Sequence, residues 1–301
     1  MHAEDWTPSG PKACDASSMK NPSRGADAFP FDQIGYWSEI KLEIIEKYAN
    51  AYSSILAAQR GLSHVYIDGF AGAGEHENRE KEIVAGSPTR ALQVTPPFRE
   101  FFFIDLDGDK VENLRRLHGH RKNVHILRSD CNDALLKEVF PKVRWEDYRR
   151  GLCLLDPYGL NLNWEVIRQA GRMRTIDLFL NFPIMDANRN VLWLDPSGVP
   201  PEQAARLTAF WGDESWRTEI YLPARQGNLF GAVDEKADND AVAEAFRRRL
   251  KDVAGFANVP APLPMRNSKG AVVYYLFFAS QKPVANDIVQ QIFDGYKDRR
   301  R

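Results

Sequence analysis

Four acidic residues each close an apolar segment and are the side chains best suited to chemistry: Asp68, Asp105, Asp130 and Asp156. Continuous apolar runs of this length are typical of buried strands. The carboxyl ends of parallel strands meet at one edge of an open α/β sheet, where ligands bind. Carboxylates accept hydrogen bonds from hydroxyl and amino groups, so the pattern predicts a site for a ligand rich in such donors.

The first acid is followed by small residues in the segment Asp68-Gly-Phe-Ala-Gly-Ala-Gly74. Small residues let a backbone approach a ligand closely, as they also do in dinucleotide-binding turns. Here, however, the acid precedes the glycines, and a charged insert at 75–86 stands where a dinucleotide fold would already be helical. Asp68 is placed to bind an amino group and would repel a pyrophosphate. The turn therefore favours S-adenosylmethionine over NAD as the cofactor.

The second and third acids suit the nucleoside part of such a cofactor. Asp105 lies where a carboxylate accepts hydrogen bonds from ribose hydroxyls, and Asp130 is placed to reach an adenine amino group. Cys131 and Cys153 are predicted to be core thiols rather than nucleophiles, because no histidine stands beside either as a base.

The fourth acid begins the segment Asp156-Pro157-Tyr158-Gly159. The carboxylate and the carbonyl beside the proline can both accept hydrogen bonds from an amino group, which concentrates lone-pair density on its nitrogen. Tyr158 offers a face on which a planar base can stack. The alternative is structural: Asp-Pro ends the strand and Tyr158 packs in the core.

The elements that must position these residues alternate between strand and helix. Helical spacing predicts a long amphipathic helix at 38–60, and five strand–helix units follow between residues 64 and 194. Apolar strands, each followed by a helix, are typical of a parallel sheet covered on both faces. Residues 264–282 predict two strands joined by a turn at Lys269-Gly270, which add an antiparallel strand. The predicted fold class is α/β with a doubly wound, mostly parallel sheet.

The domain prediction is a flexible tail at 1–30 followed by a single domain at 31–301. The tail is polar and rich in Pro, Ser, Gly and Ala. Residues 196–240 mix prolines, tryptophans and acids, so the region 195–260 is predicted as an insertion that recognises a substrate or partner.

Composition limits the possible partners and compartment. Forty basic residues face 41 acidic ones, so a surface that binds nucleic acid must be local. Three unpaired cysteines predict a reducing, cytoplasmic compartment. The longest apolar run, 271–279, is too short to cross a bilayer, which predicts no membrane association. His118, His120 and His125 lack further ligands for zinc and are predicted to be exposed or in loops, and the arginine run at 247–249 is predicted to be solvated.

Four segments taken together resemble the three-Cys-motif partner proteins, a family similar to Rossmann-type methyltransferases: Asp68–Gly74, Gly86–Leu92, Asp156–Gly159, and Asn181–Pro183 with Asn188–Asn190. The resemblance covers residues 30–280 and implies a Rossmann-like methyltransferase fold with an N-terminal helix. It also implies a partner, an iron–sulfur or radical enzyme that carries three cysteines.

Carried over by position, the resemblance implies roles for individual residues. The cofactor would be lined by Asp68, Gly69, Ala71, Gly72 and Gly74, with Asp105 on the ribose and Asp130 near adenine. Asp156, Pro157 and Tyr158 match the (D/N)PP(Y/F/W) signature of amino-group methyltransferases. One proline stands where two are usual, which shifts Tyr158 by one place.

Three hypotheses about function follow. The first is a methyltransferase that uses S-adenosylmethionine to modify an exocyclic amino group, with a nucleic acid as substrate. The second is a partner subunit that keeps the methyltransferase fold with little or no catalysis. The third, a nicotinamide-dependent oxidoreductase, is disfavoured by the missing helix after Gly74.

Overall fold

The computed structural model describes residues 36–77, 81–222, 235–267 and 269–297. The tail predicted at 1–30 lies outside these ranges, as does Cys14. The description below concerns the parts of the chain within them.

The strands are short and are numbered in chain order. They are β1 (Ser63–Asp68), β2 (Glu75–Glu77), β3 (Ile83–Ala85), β4 (Glu100–Asp105), β5 (Val124–Arg128), β6 (Arg149–Leu155), β7 (Ile176–Phe182), β8 (Tyr221–Leu222), β9 (Glu235–Lys236), β10 (Leu263–Arg266) and β11 (Val272–Ala279).

The helices connect these strands. They are α1 (Tyr36–Ala57), α2 (Ser87–Ala91), α3 (Gly108–His118), α4 (Cys131–Ala134), α5 (Trp164–Met173), α6 (Ile184–Asn190), α7 (Pro201–Trp211), α8 (Trp216–Ile220), α9 (Asn239–Asp252) and α10 (Pro283–Lys297). A π-helical turn at Leu135–Val139 extends α4, and short 3₁₀ turns occupy Phe140–Lys142 and Pro196–Gly198.

Seven strands form one sheet in the order β10-β11-β7-β6-β1-β4-β5. The pairings of β1 with β4 and β6, of β4 with β5 and of β6 with β7 are all parallel. Strand β11 runs antiparallel to both of its neighbours, β7 and β10. This strand order and these directions confirm the predicted fold class: an α/β fold with a mostly parallel sheet, an N-terminal helix and an antiparallel strand near the C-terminus.

The sheet forms because its strands are apolar on both faces, and helices bury each face. Along β1, Val65 and Ile67 belong to one buried cluster while Tyr66 belongs to the other. The first cluster lies under α5, α7 and α9, and the second under α1, α3 and α10. Parallel strands require this double cover, and it leaves the ends of the strands as the exposed edges of the sheet.

The described residues of the insert, 75–77 and 81–86, are not helical, as expected. Strands β2 and β3 pair there as an antiparallel hairpin. The N-cap of the following helix, α2, is Gly86. Ser87 is the first helical residue, and its hydroxyl donates to Asp68 instead of capping the helix.

Two predictions about surface residues were wrong. His118 is buried at the end of α3, with its Nε2 atom 2.9 Å from the Thr89 hydroxyl. Arg249 is also buried, and its guanidinium hydrogen-bonds to the Trp211 carbonyl, Ser215 and Asp213. Arg249 therefore ties α9 to the turn between α7 and α8, which a one-dimensional charge pattern does not reveal.

The region predicted as an insertion at 195–260 contains helices α7, α8 and α9 and the short strands β8 and β9, with residues 223–234 outside the described ranges. Helix α9 packs on α5 and β11, so part of the region belongs to the core. Within the described residues, no helix combines the length and apolar character that a membrane span requires.

Candidate functional site

The sheet order places the four strand-end acids side by side. Strands β5, β4, β1 and β6 are adjacent and parallel, so their carboxyl ends lie on one edge. Asp68 and Asp105 are the last residues of β1 and β4, while Asp130 and Asp156 follow the ends of β5 and β6. This edge is where ligands bind in open α/β sheets.

Two cavities open at this edge and share the side chains of Phe70 and Tyr158. The larger, here called the acidic cavity, has a volume of about 640 Å³. It is lined by Gly69, Phe70, Asp105, Leu106, Asp107, Lys110, Ser129, Asp130, Cys131, Tyr158 and Asn161. Three carboxylates against one lysine make it electronegative.

The second cavity, here called the amide cavity, has a volume of about 360 Å³. Its walls come from α1, the glycine turn, the loop after β6 and the end of β7. The residues used below are Lys41, Ala71, Gly72, Asp156, Pro157, Tyr158, Asn181, Asp186 and Arg189. The ten predicted site residues are thus distributed between the two cavities, except for Asp68 and Gly74, which line neither.

Asp68 is fully buried behind the glycine turn. Its carboxylate accepts hydrogen bonds from the Ser87 hydroxyl at 2.5 Å and from the Phe70 amide at 3.2 Å. Burial raises the pKa of Asp68 to about 7, although these two hydrogen bonds oppose the shift. In this arrangement Asp68 fixes the turn to the start of α2 and does not itself face a cavity.

Asp105 and Asp130 also organise the backbone around the acidic cavity. Asp105 accepts hydrogen bonds from the Gly72 amide at 2.8 Å and from the Asp107 amide at 2.9 Å. Asp130 caps α4 by accepting from the amides of residues 132 and 133. Gly72 has a φ of 65°, a conformation that favours glycine, so the bond to Asp105 holds a turn that other residues would strain.

Asp156 forms an ion pair with a residue that the sequence analysis missed. The Lys41 ammonium, on α1, hydrogen-bonds to the Oδ2 atom of Asp156 and lies 5.3 Å from the centre of the Tyr274 ring. The Lys41 side chain is 8% exposed and that of Asp156 is 27% exposed. Burial lowers the pKa of Lys41, but the attraction of Asp156 outweighs it and the net pKa is raised. Lys41 therefore stays charged and holds one carboxylate oxygen.

The loop after Asp156 is held by a hydrogen bond to Asp186, while its Tyr158 side chain is exposed. Asp186, on α6, accepts a hydrogen bond from the Leu160 amide at 3.3 Å. Tyr158 does not pack in the core, because it is 74% exposed. The Lys110 ammonium lies 3.1 Å from the Tyr158 hydroxyl and 5.0 Å from the centre of its ring. Tyr158 thus stands at the mouth shared by both cavities.

Asn181 provides an orphaned polar group beside Asp156. It is the sixth residue of β7, and Leu155 and Leu180, which precede these two residues, are paired across β6 and β7. Asn181 is 6% exposed, and its Oδ1 atom is buried without a hydrogen-bond partner among the described residues. Burying an unpaired amide costs about 1–3 kcal/mol, so a ligand that hydrogen-bonds to this carboxamide removes a penalty. In the sequence, Asn181 belongs to the Asn-Phe-Pro segment, one of the four segments on which the family resemblance rests.

Metal and thiol chemistry find little support in the described ranges. Cys131 and Cys153 are buried, as predicted, and burial raises their thiol pKa values well above the usual range. No group of three or more histidine, cysteine or acidic side chains there has the arrangement to hold a metal ion.

Comparison with known proteins yields structural likenesses only. No family model matches the chain, and no curated protein matches it in sequence. The Legionella pneumophila protein LPL1258, of the family model DUF519, is similar with 11% identity and a TM-score of 0.49 over 85% of this chain and 91% of that one. A Thermobifida fusca protein provisionally described as a methyltransferase has 16% identity and a TM-score of 0.40, over 80% and 82%. The 23S rRNA methyltransferase ErmE has 11% identity and a TM-score of 0.33, over 85% and 78%.

All three TM-scores are below 0.5, so these likenesses carry no argument about the activity of this chain. The strand order itself shows an α/β fold with a mostly parallel seven-stranded sheet. The resemblance to three-Cys-motif partner proteins is not matched by any family model and stays a prediction.

The raised pKa of Asp68 predicts a pH-dependent stability. Because the folded pKa of about 7 is above the unfolded value of 3.8, the folded state binds the extra proton between these values, and stability falls as pH rises through that window. Asp68→Asn removes the titration. Its free energy of unfolding relative to the wild type should therefore rise by roughly 2–3 kcal/mol between pH 5 and pH 8. Urea denaturation at both pH values measures this, and a difference that does not change with pH would show that Asp68 is already ionised at pH 5.

The ion pair predicts strong coupling between Lys41 and Asp156. Lys41→Met leaves a carboxylate without its partner, and Asp156→Asn leaves a buried ammonium, so each single variant should lose about 2–3 kcal/mol of stability. The double variant should lose clearly less than the sum of the two, with a coupling energy of about 2 kcal/mol. Urea denaturation of the four proteins gives this energy, and additive losses would contradict the pair. Lys137→Met, which removes an exposed ion pair with Asp133, is the control and should change stability by less than about 1 kcal/mol.

Proposed function

We propose that this chain is an S-adenosylmethionine-dependent methyltransferase that modifies an exocyclic amino group in a nucleic acid. The observation that carries the proposal is the pairing of an acidic cavity with an amide cavity that presents Asp156 and Asn181 side by side. When bound, S-adenosylmethionine supplies a positively charged methyl donor.

The charges of the acidic cavity support this choice of cofactor. Asp105, Asp107 and Asp130 face a single lysine, Lys110. Carboxylates attract a cation and accept hydrogen bonds from hydroxyl and amino groups, but they repel the pyrophosphate of a dinucleotide. We assign Asp105 to ribose hydroxyls and Asp130 to the adenine amino group, with Gly69, Ala71 and Gly72 providing close backbone approach. Asp68 and Gly74 support the turn from behind.

Asp156 supports an amino acceptor. Lys41 holds its Oδ2 atom, which leaves Oδ1 to accept one N–H of the incoming amine, while the Pro157 carbonyl accepts the other. These two bonds turn the nitrogen lone pair toward the methyl donor, which is a positioning effect. The nitrogen lone pair would form a bond to the methyl carbon while the sulfur–carbon bond of the donor breaks and the neutral thioether S-adenosylhomocysteine leaves. The amine would then release a proton to water, so no residue needs to act as a strong base.

The mouth of the cavities supports a nucleic-acid substrate. Tyr158 offers an exposed ring on which a base can stack. Arg189 lines the amide cavity, is exposed and forms no ion pair with the described residues, so its guanidinium is available to a phosphate. Arg189 is a local cation, which fits a chain of net charge −1.

Among the described residues of the region 195–260, Arg206 contacts residues that line the site. Arg206, on α7, lies 3.4 Å from an Asp186 oxygen and 3.5 Å from the Asn161 side-chain oxygen. Asp186 lines the amide cavity and Asn161 the acidic one. We therefore keep this region as the proposed element of recognition, for a substrate or for the three-cysteine iron–sulfur or radical protein that the sequence resemblance implies.

The activity can be tested with S-adenosylmethionine labelled on its methyl group and four homopolymeric RNAs. Adenine, cytosine and guanine carry an exocyclic amine and uracil does not, so label should enter at least one of the first three polymers but not poly(U). Asp156→Asn should reduce incorporation at least a hundredfold, because it removes the carboxylate that accepts one N–H of the amine and the charge that pairs with Lys41. Asp133→Asn, an exposed acid outside both cavities, is the matched control and should keep full activity.

Label in poly(U) equal to that in the other polymers would contradict amino-group methylation. Label in none of them would contradict the nucleic-acid substrate. If cofactor binding is nevertheless intact, the alternative of a methyltransferase-fold subunit that serves a partner protein is favoured.

A further inference from the structure

A third cavity, here called the basal cavity, lies at the amino-terminal ends of the parallel strands, opposite the candidate site at their carboxyl ends. Its volume is about 290 Å³. It opens where β6 and β7 begin, so Arg150 and Asp177, the second residues of those strands, both line it. Helices α1 and α10 close its sides. The methyl-transfer proposal uses none of its residues.

The basal cavity carries an excess of positive charge. Arg150, Arg174 and Lys282 line it together with a single carboxylate, Asp177. Within the described ranges none of the three cations forms a salt bridge. The Arg150 guanidinium stacks 3.7 Å from the centre of the Trp145 ring, and the Lys282 ammonium lies 5.8 Å from the same ring.

The single carboxylate does not neutralise these cations. Asp177 accepts hydrogen bonds from the hydroxyls of Tyr48 and Ser280, each at 2.6 Å, so neutral donors occupy both of its oxygens. Arg150 is half-buried without a carboxylate partner, and burial lowers its pKa. A partly buried cation without a counter-charge is unfavourable, and a bound anion would relieve it.

The remaining walls are apolar. Tyr52 and Leu56 of α1 face Ile288 of α10 across the cavity. The guanidinium groups of two arginines match the geometry of a phosphate or carboxylate, while the tyrosine and aliphatic side chains suit a flat or aliphatic body. A cavity with apolar walls and a few convergent polar groups is the usual form of a small-molecule site.

We propose that the basal cavity binds a small organic anion, with its phosphate or carboxylate between Arg150, Arg174 and Lys282 and its apolar body against Tyr52, Leu56 and Ile288. This site is independent of the proposed methyl transfer, since it lies at the other end of the parallel strands. Both sites share helix α1, which carries Lys41 at one and Tyr52 at the other.

Calorimetric titration of the full chain with phenyl phosphate tests the proposal, with phenol and inorganic phosphate as comparison ligands at equal ionic strength. Phenyl phosphate should bind saturably at one site and at least tenfold more tightly than either comparison ligand, because only phenyl phosphate has both an anionic group and an apolar body. Arg150→Gln and Lys282→Gln should each weaken binding by about tenfold. Lys282 is exposed, and its hydrogen bonds to the described residues are made by its backbone N–H and carbonyl, so its substitution keeps the test valid if Arg150→Gln does not fold.

The matched control is Arg172→Gln. Arg172 is exposed near the end of α5, two residues before Arg174, but does not line the cavity, and its substitution should leave the affinity unchanged. Equal binding of phenyl phosphate and phenol, undetectable binding of phenyl phosphate, or an affinity that Arg189→Gln lowers and Lys282→Gln does not, would each overturn the proposal.

Discussion

The ion pair between Lys41 and Asp156 reduces the repulsion among the acidic side chains at the carboxyl ends of the strands. The sheet gathers four carboxylates at one edge, where like charges raise one another's energy. Asp68 meets that problem by burial and a raised pKa, and Asp105 and Asp130 by accepting backbone N–H groups. Asp156 instead takes an ammonium from α1, so the long N-terminal helix is part of the site and not merely a cover for the sheet.

The distribution of charge between the two cavities also determines which ligands they can bind. The acidic cavity keeps its negative character, because three carboxylates line it against one lysine. In the amide cavity the charge of Asp156 is balanced by Lys41, and the nearby carboxamide of Asn181 has a buried oxygen without a partner. The acidic cavity therefore suits a cationic cofactor, and the amide cavity suits a neutral substrate that forms hydrogen bonds.

Local patterns in the sequence were sufficient to predict the strands of the parallel sheet and the acids that follow one another along its carboxyl ends. Apolar runs closed by an acid, as at Asp105, are local signals, and the topology of a doubly wound sheet then brings their ends together. Lys41 could not be found in this way, because it is 115 residues from Asp156 and reads as one charge on an amphipathic helix. Arg249 was missed for the same reason, since its partners Trp211 and Asp213 are 38 and 36 residues away, at the end of α7 and in the turn that follows it. Asp68 was predicted to contact the cofactor, and this stays a prediction; in the structure it is buried, hydrogen-bonds to Ser87 and lines neither cavity.

The most direct test of the central claim is a calorimetric titration of the purified chain with S-adenosylmethionine, beside S-adenosylhomocysteine and NAD. We expect S-adenosylmethionine to bind in the micromolar range, NAD not to bind detectably, and Asp105→Asn to weaken S-adenosylmethionine about tenfold while the protein stays folded. Tighter binding of NAD than of S-adenosylmethionine, or no binding of S-adenosylmethionine to the folded wild type, would contradict the assignment of the acidic cavity.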